Sequence, residues 1–206
     1  NDTATTEIYT SLFVGRRQMC IRDSDPKFAG TVALNGKPAE AGAAFNGYLM
    51  ANQLAGGDIN NLQPGLDYFK KLKEAGNLTT VDVTNGTIDS GQTGVVFDWT
   101  YNQASYKKEL KDKGVNWKYK TFPKAQVVSY YNQAINKDAP HPAAARLWEE
   151  YLYTADAQNL WFKGGANPVL LDSMKEDGTV DQATLKDAIT IEGEPVSYTN
   201  DDSTRI

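Results

Sequence analysis

Apolar and polar positions alternate along the chain in two distinct periods. Thr31-Val32-Ala33-Leu34 is a short run of strand type closed by Asn35-Gly36, a turn pair. Pro38 stands where a helix can begin, and the alanine-rich stretch from Ala39 to Leu54 turns Phe45 and Leu49 inward, with Tyr48 and Met50 beside them. Gly56-Gly57 ends that helix. A second helix is predicted from Pro64 to Ala75, where Leu66, Phe69 and Leu72 form an apolar stripe beside Tyr68. Lys70, Lys71 and Lys73 complement the dipole near its C-terminal end, and Gly76-Asn77 closes it. Val81 and Val83 alternate with polar residues as in a strand, and Thr87 to Ser90 forms a helical turn stopped by Gly91. Gly94 to Trp99 is a buried strand that ends on polar and aromatic residues.

Tyr101 to Lys113 reads as a helix charged on one face. Trp117 to Phe122 and Val127 to Ile135 alternate as strands, the second with Tyr131 and Gln133 on one face. Pro142 opens the clearest helix: Ala144, Leu147, Trp148, Tyr151 and Leu152 recur at i, i+3, i+4, i+7 and i+8, one apolar stripe. Asp156 to Phe162 adds a further helical segment ended by Gly164-Gly165, and Asp172 to Leu185 reads as short helices joined by Gly178. From about Glu192 the chain is polar. Strands alternating with helices predict an α/β class with a largely parallel sheet.

Residues 1–24 read differently. Three arginines, Arg16, Arg17 and Arg22, fall in this stretch, whereas the rest of the chain is lysine-rich with only Arg146 and Arg205. Met19-Cys20-Ile21-Arg22-Asp23 matches the translation of ATG TGT ATA AGA GAC, the mosaic end of transposon adapters used in preparing sequencing libraries. This stretch is expected to be a non-native, adapter-derived tail, which would leave Cys20 without a role.

Composition narrows the function. With 206 residues the chain can hold one domain, or one complete lobe and part of another. It is 40% hydrophobic, enough for a packed core. The net charge of −5 argues against nucleic acid as a partner, because phosphate contacts need a basic face. One cysteine cannot form an internal disulfide.

The motifs of common chemistry are missing from the sequence. There is no phosphate-binding loop, nucleophile elbow or His-Glu-x-x-His. The single histidine, His141, lies between Pro140 and Pro142, where a surface or capping role fits better than catalysis or zinc binding. No catalytic residue, metal site or cofactor is expected. Binding remains. Asp98-Trp99-Thr100-Tyr101-Asn102 sits where a buried strand gives way to a helix, and ligands of open α/β sheets collect at the carboxyl ends of strands. Asp98 between the rings of Trp99 and Tyr101 suits a cation, while Tyr and Asp oxygens suit a hard metal such as iron. Capping by Asp98 and core packing by Trp99 are the competing roles. Asn35 with the small residues Ala41-Gly42-Ala43 could expose backbone N–H groups to an anion. Of the adjacent pair Tyr130-Tyr131, one side chain can reach a cleft, and Tyr131 is taken as that residue.

Four segments, in order, carry a family resemblance: Asp-Pro-Lys-Phe-Ala-Gly-Thr-Val-Ala-Leu at 25–34, Gly-Gln-Thr-Gly-Val-Val-Phe-Asp-Trp at 91–99, Ala-Ile-Asn-Lys-Asp-Ala-Pro-His-Pro-Ala-Ala-Ala at 134–145 and Leu-Tyr-Thr-Ala-Asp-Ala-Gln-Asn-Leu-Trp at 152–161. The chain resembles, over about residues 25–190, the extracellular solute-binding proteins of the group that includes ferric-iron, polyamine and aminoalkylphosphonate binders. The resemblance implies a type II periplasmic-binding-protein fold, in which two α/β lobes joined by crossover strands close on a solute. Residues 25–128 would form the second α/β lobe. Residues 129–206 would be the return strand and the C-terminal helices packing on an incomplete first lobe, whose N-terminal half would lie outside this sequence, as would a signal peptide.

It further implies a non-enzymatic, periplasmic or membrane-anchored extracellular monomer that delivers a small solute to the permease of an ABC importer. A polyamine, a phosphonate-type anion and ferric iron are the solute classes. Iron binders of the group often carry adjacent tyrosines after the strand that here ends in Asp98-Trp99; this chain has Thr100-Tyr101-Asn102 there and its Tyr-Tyr pair at 130–131. A ligand-sensing module and an enzyme on a similar two-lobed fold are the alternatives.

Overall fold

The computed structural model describes residues 25–128, 133–189 and 196–197. They belong to two units: residues up to 128 together with the strand at 196–197, and residues within 129–190.

Two parallel strands organise the first unit. β1 (Val32–Leu34) pairs with β2 (Val95–Phe97) in the register Val32–Val95, Ala33–Val96, Leu34–Phe97. Leu78 joins the opposite edge of β1 through a single parallel bridge to Val32. Between the strands run α1 (Gly42–Leu54), α2 (Gln63–Glu74) and the short α3 (Asn85–Asp89), and β2 is followed almost at once by α4 (Thr100–Glu109). All described strand pairs are parallel, and with the intervening helices they make a mixed α/β arrangement.

The core forms where α1 and α2 cover the strands. Val32, Ala51, Tyr68, Leu72 and Phe97 are buried together, with Met50 and Phe69 packed against them. Gly47 lets α1 approach β2: a Cβ there would come within 2.8 Å of Phe97 Cβ and 3.1 Å of its carbonyl oxygen. Asn52, fully buried on α1, holds the link to α2. Its Nδ2 donates to the carbonyls of Asp58 (2.9 Å) and Asn61 (3.1 Å), and its Oδ1 accepts from Gly65 N at 2.8 Å. The predicted inward stripe of α2 is therefore rotated. Leu66 is 54% exposed, while Gly65 and Tyr68 face α1, because the close approach at Asn52 admits a glycine there.

A second cluster, Ile88, Leu110 and Trp117, gathers Val83, Val96 and Tyr106. Val83 thus packs without joining a ladder, and the strand expected around Val81 and Val83 does not form; the chain instead turns at Thr84, whose side chain caps α3 by accepting from Thr87 N. The strand expected from Trp117 to Phe122 is also absent. Both of its end residues are buried, but the segment between them has no ladder partner among the described residues, so burial alone accounts for its apolar positions. β3 (Val127–Val128) pairs in parallel with β4 (Val196–Ser197). The strand expected to run to Ile135 is not extended beyond this pair at residues 133–135; residues 129–132 lie outside those described.

The second unit is helical: α5 (Pro142–Leu152), α6 (Ala155–Lys163), α7 (Leu171–Glu176) and α8 (Gln182–Asp187). Its core is Phe162, Met174 and Val180 with Leu170, Leu171 and Leu185. Thr154 and Asp181 cap α6 and α8 by accepting from Ala157 N and Thr184 N. Asn159 secures the connection between α7 and α8, donating to Thr179 O at 2.8 Å and accepting from Asp181 N at 2.7 Å. The amphipathic stripe of α5 is exposed: the helix buries no residue, and Leu147 and Trp148 are 69% and 57% exposed. Among the described residues no helix is long and apolar enough to cross a membrane.

Candidate functional site

β1 and β2 end side by side, and their register sets Asn35 opposite Asp98 just beyond the last paired residues. Asn35 Nδ2 donates to Asp98 Oδ2 at 2.8 Å. Tyr106 adds a long bond from its hydroxyl to the same oxygen, at 3.4 Å. Asp98 Oδ1 accepts from Trp99 N at 2.7 Å and from Asn102 Nδ2 at 2.9 Å. Four donors thus occupy the roughly four lone-pair positions of one carboxylate. Burial pushes the Asp98 carboxyl above its usual range, against the opposing pull of those four donors. Burial first, and then the Asp98 charge, push the Tyr106 hydroxyl well above its ordinary value, so it stays a donor.

Beside this junction the first unit holds a partly open cavity of about 150 Å³. α1 contributes Met50 to its wall, the end of β2 contributes Phe97, Asp98 and Trp99, and residues 119–122 and 125–128 close it. Most of the lining is apolar. Asp98 is the only carboxylate and Lys120 the only ammonium that line it among the described residues.

The structure brings some of the expected residues together. Asp98 and Trp99 line the cavity. Asn35 does not reach it; its amide is committed to Asp98 rather than to the start of α1. Tyr101 lies outside the lining and stacks on Trp99, with ring centroids 6.4 Å apart and planes 15° apart. Tyr131 lies outside the described residues. His141 is exposed and its side chain makes no capping bond to α5. Among the described residues no three or more His, Cys, Asp or Glu side chains cluster to hold a metal ion.

Two glutamines of the cavity escaped the sequence reasoning. Gln103, on α4, is 6% exposed, and its Oε1 accepts from Trp117 Nε1 at 2.8 Å. An indole N–H only donates, so this bond fixes which way the amide points. Its Nε2 is buried without a hydrogen-bond partner, as are both amide atoms of Gln126. The one available signal was spacing: Gln103 lies four residues after Trp99 and so shares its side of the helix. Nothing in the sequence marked Gln126.

The arrangement suits recognition. Its carboxylate is saturated by fixed donors, the buried unpartnered side-chain atoms of its lining residues belong to amides, and an aromatic ring stands at the strand end. No curated protein matches the chain. A family model of bacterial extracellular solute-binding proteins matches residues 24–188, and the chain belongs to that family.

Proposed function

We propose that this chain is the substrate-binding component of an ABC importer, working outside the cytoplasmic membrane. It captures a small solute between two α/β lobes and hands it to a membrane permease. The observation that carries this reading is the cavity at the carboxyl end of β2, where α4 begins, with Asp98 and Trp99 in its wall. Family membership supports a solute-binding role outside the cell.

In this reading Trp99, backed by Tyr101, supplies an aromatic wall, and Asp98, held by Asn35, sets the wall's position. Tyr131 is retained as a contributor from the sequence alone. The exposed stripe of α5 supports the idea that these helices belong against a first lobe of which this chain carries only part. Polyamine, phosphonate-type anion and ferric iron are the solute classes suggested by resemblance; the donors crowding Asp98 favour hydrogen bonding over a direct ion pair with its carboxylate.

Solute binding followed by tryptophan fluorescence tests the proposal. Trp99→Ala is expected to weaken a bound solute at least tenfold. Equal affinity in the variant would remove this cavity as the solute site, and steady chemical turnover of the bound solute would replace the transport reading with an enzymatic one.

A further inference from the structure

At about 150 Å³ the cavity of the first unit has the size at which an apolar protein cavity holds one benzene molecule. The surface it offers is mostly carbon. Met50, Trp99, Tyr119 and Val127 belong to its wall, and each keeps accessible surface. The two charges of the wall do not favour a charged guest. The Asp98 carboxylate already accepts four hydrogen bonds, so a cation would have to displace a donor to pair with it. That cation would also share the cavity with the Lys120 ammonium, which lies 5.8 Å from the centre of the Phe122 ring. An anion drawn to Lys120 would enter beside the Asp98 charge. Either ion would leave water for a mostly apolar wall, a transfer that is costly without full pairing.

We propose that the cavity takes an uncharged apolar group the size of one six-membered ring. The solute is then a molecule carrying such a ring, or a branched alkyl group of similar bulk, rather than a polyamine, a phosphonate or ferric iron. This rests on the cavity being the solute site. Trp99 is steadied by its stack on Tyr101, with planes 15° apart, which keeps that part of the wall in place. Met50 is unbranched and polarizable, so its side chain can adapt to the outline of a guest. Because the cavity is partly open, the polar remainder of a solute can stay outside while its apolar group enters. Such a group displaces water from carbon surface and brings no charge into the wall.

Benzyl alcohol, putrescine and methylphosphonate present a neutral ring, a dication and an anion, and each is titrated into the isotope-labelled 206-residue chain and followed by NMR. Benzyl alcohol is expected to shift the Met50 methyl and Trp99 indole signals saturably and to show nuclear Overhauser contacts between its ring and the Met50 methyl. It should bind there at least tenfold more tightly than the other two. Putrescine or methylphosphonate binding at Met50 and Trp99 within tenfold of benzyl alcohol, or more tightly, overturns the apolar class but leaves the cavity as a solute site. Benzyl alcohol contacts confined to the exposed side chains of Leu147 and Trp148 overturn the inference by placing the ring on α5 instead. Binding of none of the three at the cavity also overturns it, and the Trp99→Ala test with a transported solute then decides separately whether the cavity is the solute site.

Discussion

Asn35 Nδ2 and Asp98 Oδ2 stand 2.8 Å apart, a bond between residues 63 positions apart in sequence that ties the end of β1 to the end of β2. It exists because the parallel register pairs Leu34 with Phe97, which places the next residue of each strand face to face. With Trp99 N and Asn102 Nδ2 on the other oxygen, the carboxylate becomes the joint at which two strands and α4 meet.

Asp98→Asn turns an amide nitrogen toward at least one of these donors. The expected loss of stability at neutral pH is about 1–3 kcal/mol, the usual cost of a buried hydrogen-bonding group left unmatched, and is measured by denaturant unfolding. The pH dependence has a definite sign. Burial raises the folded-state pKa above the ordinary 3.8, so the folded chain holds a proton that the unfolded chain releases. Wild-type stability therefore gains from this group as the pH falls through the raised pKa toward 3.8, and the gain is absent well above that pKa. The variant cannot titrate there, so the stability gap should widen on acidification across that window. A gap that narrows would contradict the assignment.

Gly47→Ala tests the contact of α1 with β2. The new methyl meets the Phe97 backbone and Cβ, which cannot swing aside as the tip of a flexible side chain can. Urea unfolding is expected to show a loss of about 1–3 kcal/mol from overpacking, although alanine is the better helix former.

Asn52→Ala should cost about 3 kcal/mol. It strands the Asp58 and Asn61 carbonyls and the Gly65 N–H, and opens a space between α1 and α2. Amide hydrogen exchange at Gly65 should accelerate in the variant even where the global unfolding midpoint is held constant by temperature.

The α5 surface predicts the opposite behaviour. Replacing Leu147 with Lys and Trp148 with Glu together should change stability by less than about 0.5 kcal/mol per site, since neither side chain is buried. The same double variant should scatter less light at high concentration than the parent. A large destabilisation would mean that these side chains pack against the rest of the protein.

What could be seen in the sequence was mostly local. The run from Gly94 to Phe97 followed by polar and aromatic residues identified β2, its end and the start of α4, because a buried strand leaves a continuous apolar signal. Helix limits near Leu54 and Glu74 were legible from the glycines that follow them. Periodicity failed where tertiary partners decide. It marked Leu66 as inward, although the Asn52–Gly65 contact sets the rotation of α2. It gave strands at Val81–Val83 and Trp117–Phe122, where Val83 and Trp117 pack without a ladder. On α5 it found the apolar face but could not say what covers it. Around the proposed site, the position of Asp98 and Trp99 just after β2 was legible, while the burial of the Gln103 and Gln126 amides was not, since it depends on tertiary neighbours that no local pattern marks.

The parallel pairing of Val127 with Val196 also bears on the order in which the protein is made. Among the described residues β4 is the only partner of β3, and the whole helical unit is encoded between them. At a synthesis rate of about 5–20 residues per second, β3 waits on the order of several seconds on the ribosome before its partner emerges. Until then the edge of β3 lacks its strand partner and stands open to pairing with another extended segment.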